Sequence, residues 1–314
     1  MRQLTSELIP KKAILYGPSP AYRVRWDMNP DTPLPPEEPV GQNPPDGAVI
    51  DYYLKEKVNV AALDIFDASG KLVRHFSSLD TMYKIPDVNI PLYWIRPQQI
   101  LSTEPGAHRF AWDLHYEPAN EPATYPISAV YQNTAPSATS PWMMPGIYTV
   151  RLRAGNLEEV QSFYLVMDPR VKTSSDDLKQ QYDLSMKCYE QKKQMMQGIN
   201  ALNSLQSQIK QLLPKVNDTL GTRLKEISKK LYGLETVPAG SKDQSLNSIK
   251  EADETLFNIL QAADAAPSVQ CIEAVEQLPV MFAEFGMKWD LVNADVGNLN
   301  RDLVAAGLPP LKIK

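Results

Sequence analysis

Three histidines, two cysteines and a few paired carboxylates are the side chains from which this 314-residue chain could build a reactive centre. His115 lies two residues from Asp113 and two from Glu117, so in an extended strand the three share one face. A His/Asp/Glu row suits a divalent metal. Strand geometry spaces its members about 7 Å apart, however, so a site would need further ligands from elsewhere. The other reading is a polar strand face with local hydrogen bonds. His108 falls on the apolar side near a turn and is expected to be a partly buried structural residue. Cys188 and Cys271 show no Cys-x-x-Cys or Cys/His spacing, which argues against zinc. They read as small buried hydrophobes, with a disulfide between neighbouring helices as the alternative. Glycosidase chemistry needs two carboxylates about 5–10 Å apart across a cleft. The pairs Glu37/Glu38, Glu158/Glu159 and Asp176/Asp177 are sequence neighbours in linkers, turns or helix starts and point in different directions. No glycine-rich phosphate loop, nucleophile elbow, zincin helix or dinucleotide fingerprint occurs. No catalytic, cofactor-binding or metal-ligating residue is therefore nominated, and no cofactor is expected.

Aromatic side chains are the remaining candidates. Trp94, Tyr125, Tyr131 and Trp142 lie in long loops between strands, where exposed rings can stack on sugars. Burial in a core or against a neighbouring domain is the competing expectation. Met186, Met195 and Met196 on a long helix could receive a partner helix, or simply fill a bundle core.

The elements that must position these residues divide the chain near residue 169. Before it lie most of the 27 prolines. Ala61, Leu63 and Ile65 alternate with Ala62 and Asp64, the period of a strand. The turn Asp67–Gly70 then leads into a partner strand through His75 and Phe76. Phe110, Trp112 and Leu114 mark a further strand. Tyr148, Val150 and Leu152 mark another, which turns at 154–156 and returns to Met167. Residues 47–54 form one more. Short strands joined by Gly/Pro turns predict an antiparallel Ig-like β-sandwich over 46–168.

After residue 169 the period becomes helical. Ser174 or Ser175 can cap a helix with Asp176 and Asp177 in its first turn, stopped at Pro214. Segments at 219–235, 245–264 and 268–306 follow, the last with Pro279 as a break or kink. Four segments with short connections predict an antiparallel up-down helical bundle over 169–314. The fold class is thus α+β in separate domains. Residues 1–45, with seven prolines between Pro30 and Pro45, read as a stiff connecting strap.

The net charge of −5 disfavours nucleic acid as a partner. No apolar run approaches the roughly 20 residues of a membrane span. The first residues lack the apolar core of a signal peptide. That is expected of a cytoplasmic protein if Met1 is the true start, or of a piece whose signal lies upstream.

Residues 63–76 (LDIFDASGKLVRHF), 106–116 (GAHRFAWDLHY) and 145–152 (PGIYTVRL) resemble the Ig-like module of the flagellar hook-capping protein. Over nearly the whole chain, residues 21–54, 89–97, 110–118, 125–131, 167–185 and 299–311 are similar to the C-terminal region of bacterial proteins with sortilin-like or neuraminidase-type repeat β-propellers. Those proteins are often labelled glycosyl hydrolases. The resemblance implies a secreted or periplasmic protein with a propeller upstream as partner. It carries no site residue over, because the propeller's S-x-D-x-G-x-x-W repeats do not occur here. The expectation is a non-catalytic accessory or scaffolding region, with a carbohydrate-binding module as the alternative.

Overall fold

The computed structural model describes residues 3, 11–25, 37–39, 45–119, 123–126, 132–237 and 244–313. The proline-rich stretch expected to act as a strap falls almost entirely outside them. The chain divides into two units, Met1–Tyr182 and Asp183–Lys314.

Among the described residues the first unit contains eight strands. They are β1 (Ala13–Leu15), β2 (Ala21–Arg23), β3 (Ala48–Leu54), β4 (Ala61–Phe66), β5 (Leu72–Ser77), β6 (Gly106–Trp112), β7 (Gly146–Ala154) and β8 (Leu157–Met167). They form a three-stranded sheet in the order β1-β3-β6 and a five-stranded sheet in the order β2-β8-β7-β4-β5. Both hairpins expected from turn chemistry form: β4 pairs with β5 and β7 with β8, each antiparallel. At the first of these turns the Asp67 carboxylate accepts hydrogen bonds from the backbone N–H groups of Ser69 and Lys71.

Two features depart from the expected antiparallel arrangement. β2 runs parallel to β8. β1 and β2, five residues apart, belong to different sheets, so two strands lie within the region 1–45 read as strap. Three-residue strands are too short to show a period, and these take their place by pairing at the edge of a longer neighbour.

Both sheets contribute to one core. Leu15, Ile50, Leu54, Phe110 and Trp112 come from the three-stranded sheet; Leu63, Ile65, Val150, Leu152 and Phe163 come from the five-stranded one. Trp112 is fully buried and its ring centroid lies 5.5 Å from that of Tyr148 and 6.4 Å from that of Phe163.

Four helices follow: α1 (Ser175–Leu212), α2 (Asp218–Glu235), α3 (Leu246–Ala262) and α4 (Val269–Ala305). Ser174 caps α1 by accepting from the Asp177 N–H at 3.1 Å. Asn217, Ser245 and Ser268 cap the other three in the same way.

Within the second unit, contacts fix the directions. Lys187 and Gln191 of α1 meet Glu276 and Leu278 of α4, so these two helices run parallel. Gln261 meets Ser185 and Glu254 meets Lys192, so α3 runs against α1. Arg223 pairs with Asp302, and Lys230 with Asp295 at 2.6 Å, so α2 runs against α4. The four segments therefore make three columns, up along α1, down along α2 then α3, and up along α4, and do not alternate as the expected four-segment up-down bundle would, because α2 and α3 are each too short to match α1 and α4 alone. α2 and α3, at 18 and 17 residues, are each about half as long as α1 and α4, at 38 and 37.

α4 passes through Pro279 without a break. Proline has no N–H to give the preceding turn. The carbonyl it leaves without that partner is that of Val275, one turn earlier. Beside the proline, the Gln191 side chain of α1 donates to the Leu278 carbonyl at 2.8 Å, a contact that holds α1 against α4 at this level.

Gly47 has φ +93°, and a Cβ there would lie 1.9 Å from the Trp112 carbonyl oxygen. Gly47→Ala is expected to lower unfolding free energy by about 3 kcal/mol or more, through combined left-handed strain and overlap. Gly297, on the exposed side of α4 with open space around it, is the opposite case. Gly297→Ala is expected to raise stability by about 0.5–1 kcal/mol. Urea titration of the two variants against the parent checks both signs.

Candidate functional site

The long connection between β5 and β6 builds a shallow apolar cleft. Its centre is a single 3-10 turn, Leu92–Trp94, preceded by Pro91, whose carbonyl accepts from the Trp94 N–H at 3.0 Å. The backbone beyond it zips onto residues 132–134. Thr134 N–H donates to Trp94 O at 2.9 Å, and Arg96 N–H donates to Thr134 O at 2.8 Å. The Arg96 guanidinium then ties this loop to the start of β3, donating to Asp46 and, at 2.9 Å, to Asn133.

The cleft has a volume of about 390 Å³. Met82, Ile85, Leu92 and Tyr93 give it an apolar wall, and Gln98 and Gln132 a polar rim. Gln98 also braces the loop, exchanging two hydrogen bonds with the backbone of Tyr83 at 2.8 and 2.9 Å. Met82, Leu92 and Tyr93 are 63%, 66% and 54% exposed.

The four nominated aromatics fall in different surroundings. Trp94 is half-buried next to the cleft, edge-on to Tyr93 at 6.1 Å. Its indole N–H is buried and meets no acceptor among the described residues. Tyr125 reaches the same loop, its hydroxyl 3.1 Å from that of Tyr83. Burial and this hydroxyl contact push the Tyr125 phenol pKa up from its usual value. Tyr131 lies outside the described residues. Trp142 stands apart from the cleft: its ring is 4.1 Å from that of His115 and carries the guanidiniums of Arg23 and Arg25 at 5.7 and 5.5 Å.

The expected row of Asp113, His115 and Glu117 does not form a face, because β6 ends at Trp112 and Leu114 takes a left-handed φ of 62°. His115 instead turns back on Asp113, its Nδ1 2.9 Å from the Asp113 carbonyl. Burial lowers its pKa and keeps the ring neutral. Glu117 pairs with Arg74 at 3.1 Å. Among the described residues no three His, Cys, Asp or Glu side chains come together as a metal set. His108 is partly buried against the Tyr52 ring at 5.0 Å, as expected. Cys188 and Cys271 are both buried free thiols.

A charged cluster on the five-stranded sheet was not foreseen. Asp64, in the middle of β4, lies opposite His75 of β5 and Arg151 of β7. Its side chain is 3% exposed and is enclosed by His75 Nδ1 at 2.7 Å, Arg151 at 3.0 Å and Arg153 at 3.0 Å. Burial alone would raise the Asp64 pKa. Hydrogen bonds from His75 and Arg151 and the charge of Arg153 outweigh it and hold the carboxyl below its usual value. Among the described residues no hydroxyl or thiol bonds the His75 ring, so the Asp64–His75 pair has no nucleophile to activate. Its role is to lock three strands through one buried charge. In sequence Asp64 stood out only as the polar member of an alternating strand, and the arginines that cover it come from β7, far along the chain.

No family model matches the chain, and no curated protein matches it.

Removing the Asp64 carboxylate leaves His75, Arg151 and Arg153 without their anion. Asp64→Ala is expected to cost about 3 kcal/mol. Because the folded-state pKa is depressed, this stabilisation is present above pH 4 and is lost as pH falls through the folded value. Asp64→Asn should therefore flatten the acid limb of a stability-versus-pH curve, measured by urea unfolding between pH 2 and 6.

Proposed function

We propose that this chain is a non-catalytic accessory module that docks onto a neighbouring β-propeller. The observation that carries this reading is the exposed apolar wall of the cleft, with Met82, Leu92 and Tyr93 mostly uncovered on a loop that Arg96, Asp46 and Gln98 brace. Contiguous apolar surface of this kind marks a contact site. A braced loop loses little entropy on docking. The propeller enters from the resemblance of the chain to the region that follows sortilin-like propellers. In this reading the first unit is an Ig-like sandwich of the hook-capping type, the second a helical support, and the whole belongs to a larger secreted or periplasmic protein. Among the described residues no helix is long and apolar enough to cross a membrane.

A carbohydrate-binding module is the second reading. It is favoured by the exposed Tyr93 ring in the cleft wall, with Tyr83, Trp94 and Tyr125 on the neighbouring loops.

An antibody against residues 183–314, blotted on fractionated source cells, gives the size and compartment of the native polypeptide. The docking reading expects a product much larger than this chain in the periplasmic or secreted fraction. It also expects the separately expressed propeller to bind the chain in calorimetry, with Leu92→Asp combined with Tyr93→Asp weakening binding at least about tenfold, the loss typical of an interface hot spot. A product of this chain's own size in the cytoplasm would end the docking reading. Saturable binding on a glycan array, lost in Trp94→Ala or Tyr125→Ala, would install the second reading instead.

A further inference from the structure

The second unit has an interior of two kinds. Along α1 the inward seam runs through buried Leu184, Cys188, Gln191, Met195, Leu202, Leu205, Ile209 and Leu212, with half-buried Gly198 completing a spacing of three and four residues throughout. From Met195 onward the large side chains of this seam are apolar. Before it the buried side chains include Ser185, Cys188, Gln191 and Lys192. α3 packs at the polar level, where Ser185 and Lys192 meet Gln261 and Glu254.

α3 answers in kind. Its buried seam is Leu246, Ile249, Asp253, Phe257 and Leu260. An aspartate thus occupies the central core position of a 17-residue helix. Asp253 is 0% exposed. Neither carboxylate oxygen meets a nitrogen or oxygen donor among the described residues. The Cys188 thiol of α1, a weak donor, is the polar group that reaches it. The charged groups around it are engaged with one another: Glu254 holds Lys250 at 2.6 Å and Lys192 of α1 at 3.6 Å. From α4 the titratable group at this level is Cys271, beside Cys188.

When ionised, a carboxylate in this position has the weak Cys188 donor and the already engaged charges of Lys192 and Lys250 to set against its burial, and it is better tolerated when neutral. We propose that α3 is a pH-sensitive latch, docked while Asp253 is protonated and loosened as its carboxyl ionises. α3 suits the role because it is half a column, joined to α2 and α4 by connections rather than continuous helix, and can open without unwinding either long helix. Burial pushes the Asp253 pKa up to about 7, against the opposing charge of Lys192.

The sign follows from linkage. In the open state Asp253 ionises near pH 4, and in the docked state near 7. Between these values the docked state binds more protons, so docking weakens as pH rises and levels off above about 7. Hydrogen exchange of the full chain, corrected for intrinsic rates and read between pH 5 and 8.5, tests this. Protection of α3 amides is expected to fall about tenfold or more between pH 5 and 7 and then plateau, while α2 changes little. Asp253→Asn and Asp253→Leu are each expected to abolish the fall. The latch is overturned if wild-type α3 follows α2 across the range, or if either variant keeps the fall.

Discussion

The first unit depends on the burial of one indole. Trp112 is the last residue of β6, on the three-stranded sheet, and its ring reaches Tyr148 and Phe163 of the five-stranded sheet. Its N–H must find an acceptor once water is excluded, and it donates to the His115 carbonyl at 2.9 Å. That bond requires the chain to fold back directly after the strand, which Leu114 does by entering left-handed space. The same tight passage brings the Trp112 carbonyl against Gly47, where no side chain fits. A large ring, a reversed backbone and a bare glycine thus form one constraint, and the sheet register around it follows.

The second unit solves a different problem. Two long helices need a third partner along their whole length, and the chain supplies it in two halves. One half, α2, buries Leu220, Leu224, Ile227, Leu231 and Leu234. At the level of the other, α3, the interior admits an acid from α3 itself, a thiol, a glutamine and a lysine from α1 and a thiol from α4. Uniform leucine seams leave helices free to slide and re-register, whereas polar groups at fixed levels penalise every register but one. Gln191 on the Leu278 carbonyl and Gln261 on Ser185 are bonds of this kind.

Much of this was legible in the sequence where a period was long or a turn was chemically marked. The Asp67–Gly70 turn, the alternation from Ala61 to Ile65 and the Ser174 or Ser175 cap before α1 each predicted an element that the structure contains. What stayed hidden was non-local. Strands β1 and β2 exist only because β3 and β8 offer edges. The break after Trp112 replaced an expected continuation of the alternating strand, since a ring's need for an acceptor overrode the pattern. Pro279 left open whether the last helix breaks, and packing against α1 carried it through. The aromatics were visible as types, but only the fold separates Trp94 beside Tyr93 and Tyr125 on Tyr83 from Trp142 among guanidiniums. Asp253 was readable, since helical spacing from Leu246 and Ile249 places it on the apolar face. An acid in an amphipathic helix is easily taken for part of its wet side.

Cys188 and Cys271 are the only cysteines in the sequence, and both are buried in the second unit. Burial raises both thiol pKa values, so little thiolate is exposed to a reagent in the native state. Covalent labelling must then wait for the helices to part. The rate at which an alkylating agent consumes these two sulfurs is a built-in clock for the opening of that unit alone, with no engineered probe and no contribution from the eight strands.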